Sequence, residues 1–497
     1  MDNLSSLQLS GSLGSPDVIL PNVIEDAMTL VGAIRERYLW VDSLCIVQDD
    51  AAQKHQSIMQ MDLIYREAVL TIVAASGEDA NSPLPGVRLH SRPPQVAAAV
   101  SGVTWVTTPP MLQDLLRRSH YESRGWTFQE RLLSRRCLYF SSQWVYFECP
   151  STIKAEAWLS DGFPVGRAYE FPEATSHNPL VHLLNEESSP ASMRTFETYY
   201  SLVGMYQERS LSYATDILNA FSGVMTYFQE LTGTTFACGL PESGFDRALL
   251  WVPTGVIQRR RGETSSPNSS GELCCPSWSW AGWIGKVQWL DVATEDQHFP
   301  VGNRPTLRSE VRYFYFGAHG KSRAVRRRDI ISPPSENASS SSSTHTPNID
   351  PKLYILRFIA STIRAKDFTA IAFIRSKPFV PKFGTSLIYD SNKRQCGIMY
   401  EKQPPHFEDN ESSIYELVKL STSPPRGLSD DHWGYITRVN PRLEEVFDSS
   451  YFRPDRGVVN AMLVKSTGEF SERVALCQMH SDVFTSATCT MKRISLI

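Results

Sequence analysis

"YLWVDSLCIVQDD", residues 38–50, decides how the first part of this chain is read. An apolar run from Tyr38 to Val41 is broken by Asp42, resumes around Cys45 and closes on Gln48, Asp49 and Asp50. The run 38–41 reads as a buried strand. Before it, "PNVIEDAMTLVGAI" (21–34) places Val23, Ile24, Ala27, Met28, Val31 and Ile34 on one helical stripe, with Pro21 suited to the first turn. After it, residues 52–67 read as a second helix, with Ile58, Met61, Tyr65 and Ala68 facing one way and Lys54, Asp62 and Arg66 facing solvent. "VLTIVAA" (69–75) then reads as a β-branched buried strand. Strand, helix and strand in this order make a βαβ unit, which implies a parallel pair and a right-handed crossover. Ligands of open α/β sheets bind beyond the carboxyl ends of the strands, which puts Asp42 to Gln48 at a binding edge. A second reading stands beside it. Asp42 caps the following turn, and Cys45 is a small buried side chain.

A second polar set lies in "YESRGWTFQERLLSRRCLYFSSQWVYFEC" (121–149). "RGWTFQERLLS" reads as a helix on the pattern Trp126, Phe128, Leu132 and Leu133. "RCLYF" and "WVYFE" alternate around an "SSQ" turn and read as a hairpin. Arg124, Gln129 and Glu130 are polar groups set among aromatics. Glu130 is either half of an ordinary surface pair with Arg131 or a carboxylate facing a cleft.

Further along, the Pro- and Gly-rich residues 83–110 read as a loop with short strands, and 151–195 as irregular. Residues 196–230 read as helical, with Thr215 or Asp216 as a cap. "ALLWV" (248–252) reads as a strand or the last turn of a helix. "PSWSWAGWIG" (276–285) reads as a strand that packs Trp278, Trp280 and Trp283 as core or as a stacking platform. Residues 321–350, a basic cluster followed by a Ser/Pro tract, read as a disordered linker or inserted loop. From 353 onward, short apolar segments imply a mostly antiparallel, β-rich region.

With 497 residues, 41% hydrophobic and 21% charged, the chain is long enough for two to four domains with real cores. A net charge of -4 gives no general electrostatic case for nucleic acid or an acidic membrane. The 9 cysteines are irregularly spaced without a CxxC pair, as expected for reduced thiols rather than a disulfide frame or zinc site. No secretory signal opens the sequence, and no apolar run approaches the roughly 20 residues that span a bilayer. A cytoplasmic protein without a membrane span is expected. The sequence contains no GxGxxG, GxxxxGK[ST], HExxH or GxSxG, and no cofactor or metal is expected.

Three ordered blocks resemble the fungal heterokaryon incompatibility (HET) domain. They are Tyr38 to Asp50, "QMDLIYREAVLTIVAA" (60–75), and Arg124 to Phe140. "YATDILNAFSGV" (213–224), "ALLW" and "PSWSWAGW" resemble the region that follows this domain in HET proteins. The resemblance implies an α/β HET domain over 1–150, with a parallel-sheet βαβ core similar to TIR domains. A helical and Trp-rich flanking region (151–320), a linker (321–352) and a β-rich C-terminal region (353–497) follow. It also implies a first strand like "YxxLSYxWG", which has no counterpart before "DNLSSLQ" and would leave a sheet edge or core face uncovered. The implied role is fungal nonself recognition ending in programmed cell death. Likeness to TIR domains further implies NAD as substrate. Asp42 and Glu130 are then the catalytic carboxylates, Trp126 stacks on a ring, and Arg124, Gln129 and Gln48 bind phosphate or hydroxyl groups. The alternatives are a non-enzymatic signalling module, acting as a homo-oligomer or through an incompatibility partner, and an inactive truncated copy.

Overall fold

A computed structural model describes residues 4–156, 178, 180, 193–262, 272–290, 307–318, 321–325, 354–372, 385–401, 405, 407, 414–423, 447–451 and 457–497. The chain divides into two units. One comprises residues 1–189 with 209–212 and 219–227, the other 190–208, 213–218 and 228–497.

The first unit is built on a four-stranded sheet in the order Thr71–Ala74, Cys137–Phe140, Val145–Cys149, Thr152–Ala155. The first pair is parallel, with Thr71 beside Cys137, and the others are antiparallel. Alternating side chains give the sheet a core on each face. Val73, Cys137, Tyr139 and Tyr146 pack with Leu112 and Leu116 of the helix Leu112–Leu116. Ile72, Ala74, Leu138 and Phe140 pack with Ala27 and Leu84. Helix Asn22–Ala33 follows the expected stripe in burying Ile24 and Ala27, but Met28 and Ile34 are exposed. Asp26 is buried instead. It accepts the Leu84 N–H at 2.8 Å and pairs with Arg88, which explains a carboxylate on the inner face.

Residues 38–41 are not a strand: the chain is extended at Val41 but joins no ladder, and Tyr38 is 86% exposed. Besides the Val41 carbonyl, which accepts from Leu44 and Cys45, the stretch is anchored by side chains. Leu39 packs on the Ala27–Leu84–Phe140 cluster, and Trp40 meets Tyr65 edge to face at 5.9 Å. The parallel pair therefore joins Thr71–Ala74 to Cys137–Phe140, and no βαβ unit spans 38–75. The single helix expected over 52–67 is two, Ala51–Ile58 and Met61–Glu67. Asp50 caps the first through the Ala52 and Gln53 N–H groups, both at 3.0 Å. The break re-aims the second so that Asp62, expected in solvent, is buried.

Within 83–110 the expected short strands are Ala97–Val100 and Val103–Val106, joined by Ser101 and Gly102 with φ of 52° and 78°. Left-handed residues at both central positions fit the twist of a two-residue hairpin.

The second unit holds an 11-stranded sheet among the described residues, antiparallel at all but one pairing. Its longest strands are Ile355–Arg364, Ile414–Ser423, Val458–Thr467 and Phe470–His480. The β-rich C-terminal region is thus present. Helices Met193–Tyr206 and Ser222–Thr232 lie in the stretch read as helical. "ALLWV" is both things expected of it, the end of helix Phe245–Ala248 and the start of strand Trp251–Pro253. The Trp-rich segment is core but not a strand throughout. Trp278 and Trp280 are fully buried, Trp280–Gly282 is a 3-10 turn capped by Ser279, and only Trp283–Ile284 is extended. Buried Arg473 lies 3.7 Å over the Trp251 ring. It donates to the carbonyls of Leu249 and Trp251. Lys321–Ala324 is a strand paired with Phe314–Ala318; the rest of the expected linker, from 326, lies outside the described residues. So does most of 151–195 beyond the strand Thr152–Ala155.

Candidate functional site

The helix Thr127–Leu133 organises the polar residues of the first unit. Its spacing sends Phe128, Gln129, Leu132 and Leu133 inward and leaves Glu130 and Arg131 half-buried at its border. Trp126 sits at the helix start, half-buried, and its carbonyl receives the Glu130 N–H at 3.5 Å.

Glu130 is the centre of the site. Protein surrounds it densely while part of its surface stays accessible. Burial is the main cause that pushes its carboxyl up to about 7; Arg124 opposes the rise, the Asp42 charge adds to it, and a hydrogen bond from Tyr65 opposes it again. The Tyr65 hydroxyl, donating to Glu130, is pushed up by its own burial and then by the charges of Glu130 and Asp42. Asp42 and Glu130, 88 residues apart in the sequence, thus act on one another electrostatically, with Tyr65 between the same two fields. The Tyr121 hydroxyl is buried without a hydrogen-bond partner among the described residues, and burial and then Glu130 push it upward.

The remaining expected residues divide between this cluster and its supports. Arg124 is exposed, and its charge is the largest counterweight to Glu130's burial. Asp42 is the first residue of the single helical turn Asp42–Cys45 and accepts the adjacent Ser43 N–H at 2.7 Å, but the cap position is Val41 and no side chain caps the turn, so the capping reading is corrected. Gln48 donates to the carbonyls of Asp42 at 3.2 Å and Ile46 at 3.1 Å, bracing that turn. Gln129 is fully buried and accepts the Gly223 N–H at 3.1 Å, stitching residues 219–227 to the helix. Cys45 is exposed, not the buried side chain of the second reading.

Glu130 and Arg131 do not form the ordinary surface pair. Arg131 donates to the Tyr139 hydroxyl at 3.0 Å, which donates to Glu148 at 2.6 Å. It also lies 3.7 Å from Glu148 and 3.6 Å from Glu122, and Glu122 pairs with Arg209. The Arg209 guanidinium covers the Phe128 ring at 4.8 Å and donates to the Arg124 carbonyl at 3.2 Å. Tyr65, Tyr121 and Arg209 are therefore parts of the site that sequence reasoning missed. Tyr65 was counted on an apolar stripe, and no local pattern links Arg209 to a helix 80 residues earlier.

Chemically, this is a proton-exchanging carboxyl tuned near neutrality, beside a second carboxylate and an exposed guanidinium. No group of three or more His, Cys, Asp or Glu placed to hold a metal ion occurs among the described residues. No helix among them is long and apolar enough to cross a membrane. A cavity of about 520 Å³ lies elsewhere, in the second unit, bounded by Tyr200, Arg247 and Trp289. It contains none of the residues expected to act, and the titrating cluster outweighs it as the candidate.

Residues 4–130 match the family model described as heterokaryon incompatibility protein (HET). The match includes Asp42, Gln48, Arg124, Trp126, Gln129 and Glu130. No curated protein and no solved structure matches the chain.

Proposed function

We propose that this protein, which carries a heterokaryon incompatibility domain at residues 4–130, executes fungal nonself recognition by triggering programmed cell death in the cytoplasm, through cleavage of NAD at Glu130. The domain itself supports involvement in heterokaryon incompatibility. The chemistry rests on one observation: Glu130 is held near pH 7 within the field of Asp42 and Arg124. Breaking the bond between nicotinamide and ribose creates an oxocarbenium-like centre, which a nearby carboxylate stabilises. Asp42 supplies that negative charge. Ionised Glu130 accepts a proton from the water that attacks the ribose carbon; the bonding pair leaves with nicotinamide, and ADP-ribose and one proton result. A base with a pKa near the working pH suits this step. Arg124 pairs with the pyrophosphate, and Trp126 offers a ring face to a base. Gln48 and Gln129 act by positioning, the first on the Asp42 turn and the second on the helix. The likeness to TIR domains is part of this same proposal.

The test is nicotinamide release from NAD by the purified chain, together with total NAD in a yeast host after induction. NAD falls before death, and Glu130→Gln lowers turnover by about 100-fold or more while the protein stays folded. Death with steady NAD would replace this reading with a non-enzymatic signalling module.

A further inference from the structure

The hairpin Ala97–Val100/Val103–Val106 is absorbed neither by the Glu130 cluster nor by the core. All eight strand residues are exposed. Register places Ala98 opposite Trp105 and Val100 opposite Val103. With Val96 and its neighbour Thr107 continuing the alternation, one face presents Val96, Ala98, Val100, Val103 and Trp105, with Thr107 at its border. Trp105 is 65% exposed, and the three valines are 55–57% exposed. The sequence from 93 to 108 carries no charge, and no proline interrupts 95–108. Proteins blunt exposed strands with lysine, proline or a bulge, and none of these devices occurs here.

We infer that this face is a self-association surface whose occupant is the same face of a second copy of the chain. The open apolar area is roughly 450 Å² per copy, within the range of the largest patches on monomers, which are often functional. Two copies bury about 900 Å², which falls in the range of weak, reversible interfaces rather than permanent ones. The absence of charge leaves nothing for an oppositely charged partner to read, while a two-fold axis makes an apolar face its own complement. Trp105 stands beside Ala98, so each face offers a ridge and a step, and the ridge of one copy fits the step of the other. The two left-handed turn residues fix the hairpin in advance, which lowers the ordering cost of association. The inference is independent of the NAD reading, since no residue of the Glu130 cluster lies on the hairpin.

Sedimentation velocity of the full chain over a concentration series decides it, with thermal melts as a folding control and flotation with phosphatidylcholine vesicles in parallel. We expect a monomer–dimer equilibrium with a midpoint on the order of ten micromolar. Trp105→Lys and Val103→Lys each weaken it at least tenfold with the melting temperature unchanged, and Thr104→Lys on the opposite face leaves it intact. A monomer at every concentration overturns the inference. So does a dimer that both lysine variants leave unchanged, or a monomer that binds vesicles through Trp105. If a lysine variant fails to fold, Trp105→Ser serves in its place under the same criteria.

Discussion

Glu130 carries a pH signature that can be read in two ways. In the folded chain its carboxyl titrates near 7, and in the unfolded chain near 4.5. Between those values the native state holds a proton that the unfolded state has released, so stability falls as pH rises from about 4.5 to 7 and stays low above. Glu130→Gln removes that penalty. We expect it to be more stable than the parent by about 1–3 kcal/mol at pH 8, with no gain near pH 4, as read from thermal melts at both pH values. The second signature is catalytic. If Glu130 is the base, turnover rises with pH through about 7. Arg124→Ala and Tyr65→Phe move that midpoint up, because each removes an influence that holds the carboxyl down, and Asp42→Asn moves it down. A pH–rate profile in which the three variants leave the midpoint in place would remove Glu130 as the titrating group. Asp42 stood out in the sequence as a carboxylate that breaks an apolar block, and Glu130 as one of several polar groups set among aromatics. Gln129 was misplaced, since one step along the helix turns a side chain from the border into the core. Tyr65 was invisible as a site residue, since a phenol that packs its ring and aims its hydroxyl at an acid looks like any core tyrosine.

At the level of elements, the Thr127–Leu133 helix is fastened to the sheet by charge as well as by apolar packing. Arg131 bridges Glu148 of the strand Val145–Cys149, the Tyr139 hydroxyl of Cys137–Phe140, and Glu122. Arg131→Met takes a counter-charge from buried Glu148 and a donor from Tyr139, and we expect a loss of about 3 kcal/mol in chemical denaturation. Adding Glu148→Gln to that variant recovers part of the loss, because the uncompensated charge is then gone. Gly125 shows how tightly the next segment approaches. A Cβ there would collide with the Leu211 side chain and lie 3.2 Å from the Ser210 carbonyl. Gly125→Ala therefore costs about 1–3 kcal/mol by overpacking, measurable as a lowered melting temperature. Helix and hairpin over 121–149 were readable because period and turn chemistry agree. The strand expected at 38–41 was not there, because Leu39 and Trp40 are anchored by side-chain packing without any backbone ladder, and Tyr38 is left exposed. Only the position of a neighbour tells the two apart.

For the whole chain, the first unit is not a contiguous piece of sequence. Residues 209–212 and 219–227 belong to it. They supply Arg209 over Phe128, Phe221 stacked on the same ring at 5.9 Å, and Gly223 bound to Gln129. A fragment ending at residue 156 is expected to be protease-sensitive and poorly cooperative in melting, whereas one ending at 232 gains a cooperative transition. Equal behaviour of the two fragments would deny the borrowed segments any structural weight. The β-rich second part was legible as a class from alternating apolar segments, but its strand order was not, since pairing between distant strands leaves no local trace. The divided first unit also sets a clock. On the ribosome, the helix bearing Glu130 emerges early, while the residues that cover it follow about 70 positions after the sheet is complete, some 4–14 seconds later at typical elongation speeds. For that interval the newborn chain carries Glu130 in an unfinished setting. The cluster around Glu130 is thereby completed only once translation has passed residue 227.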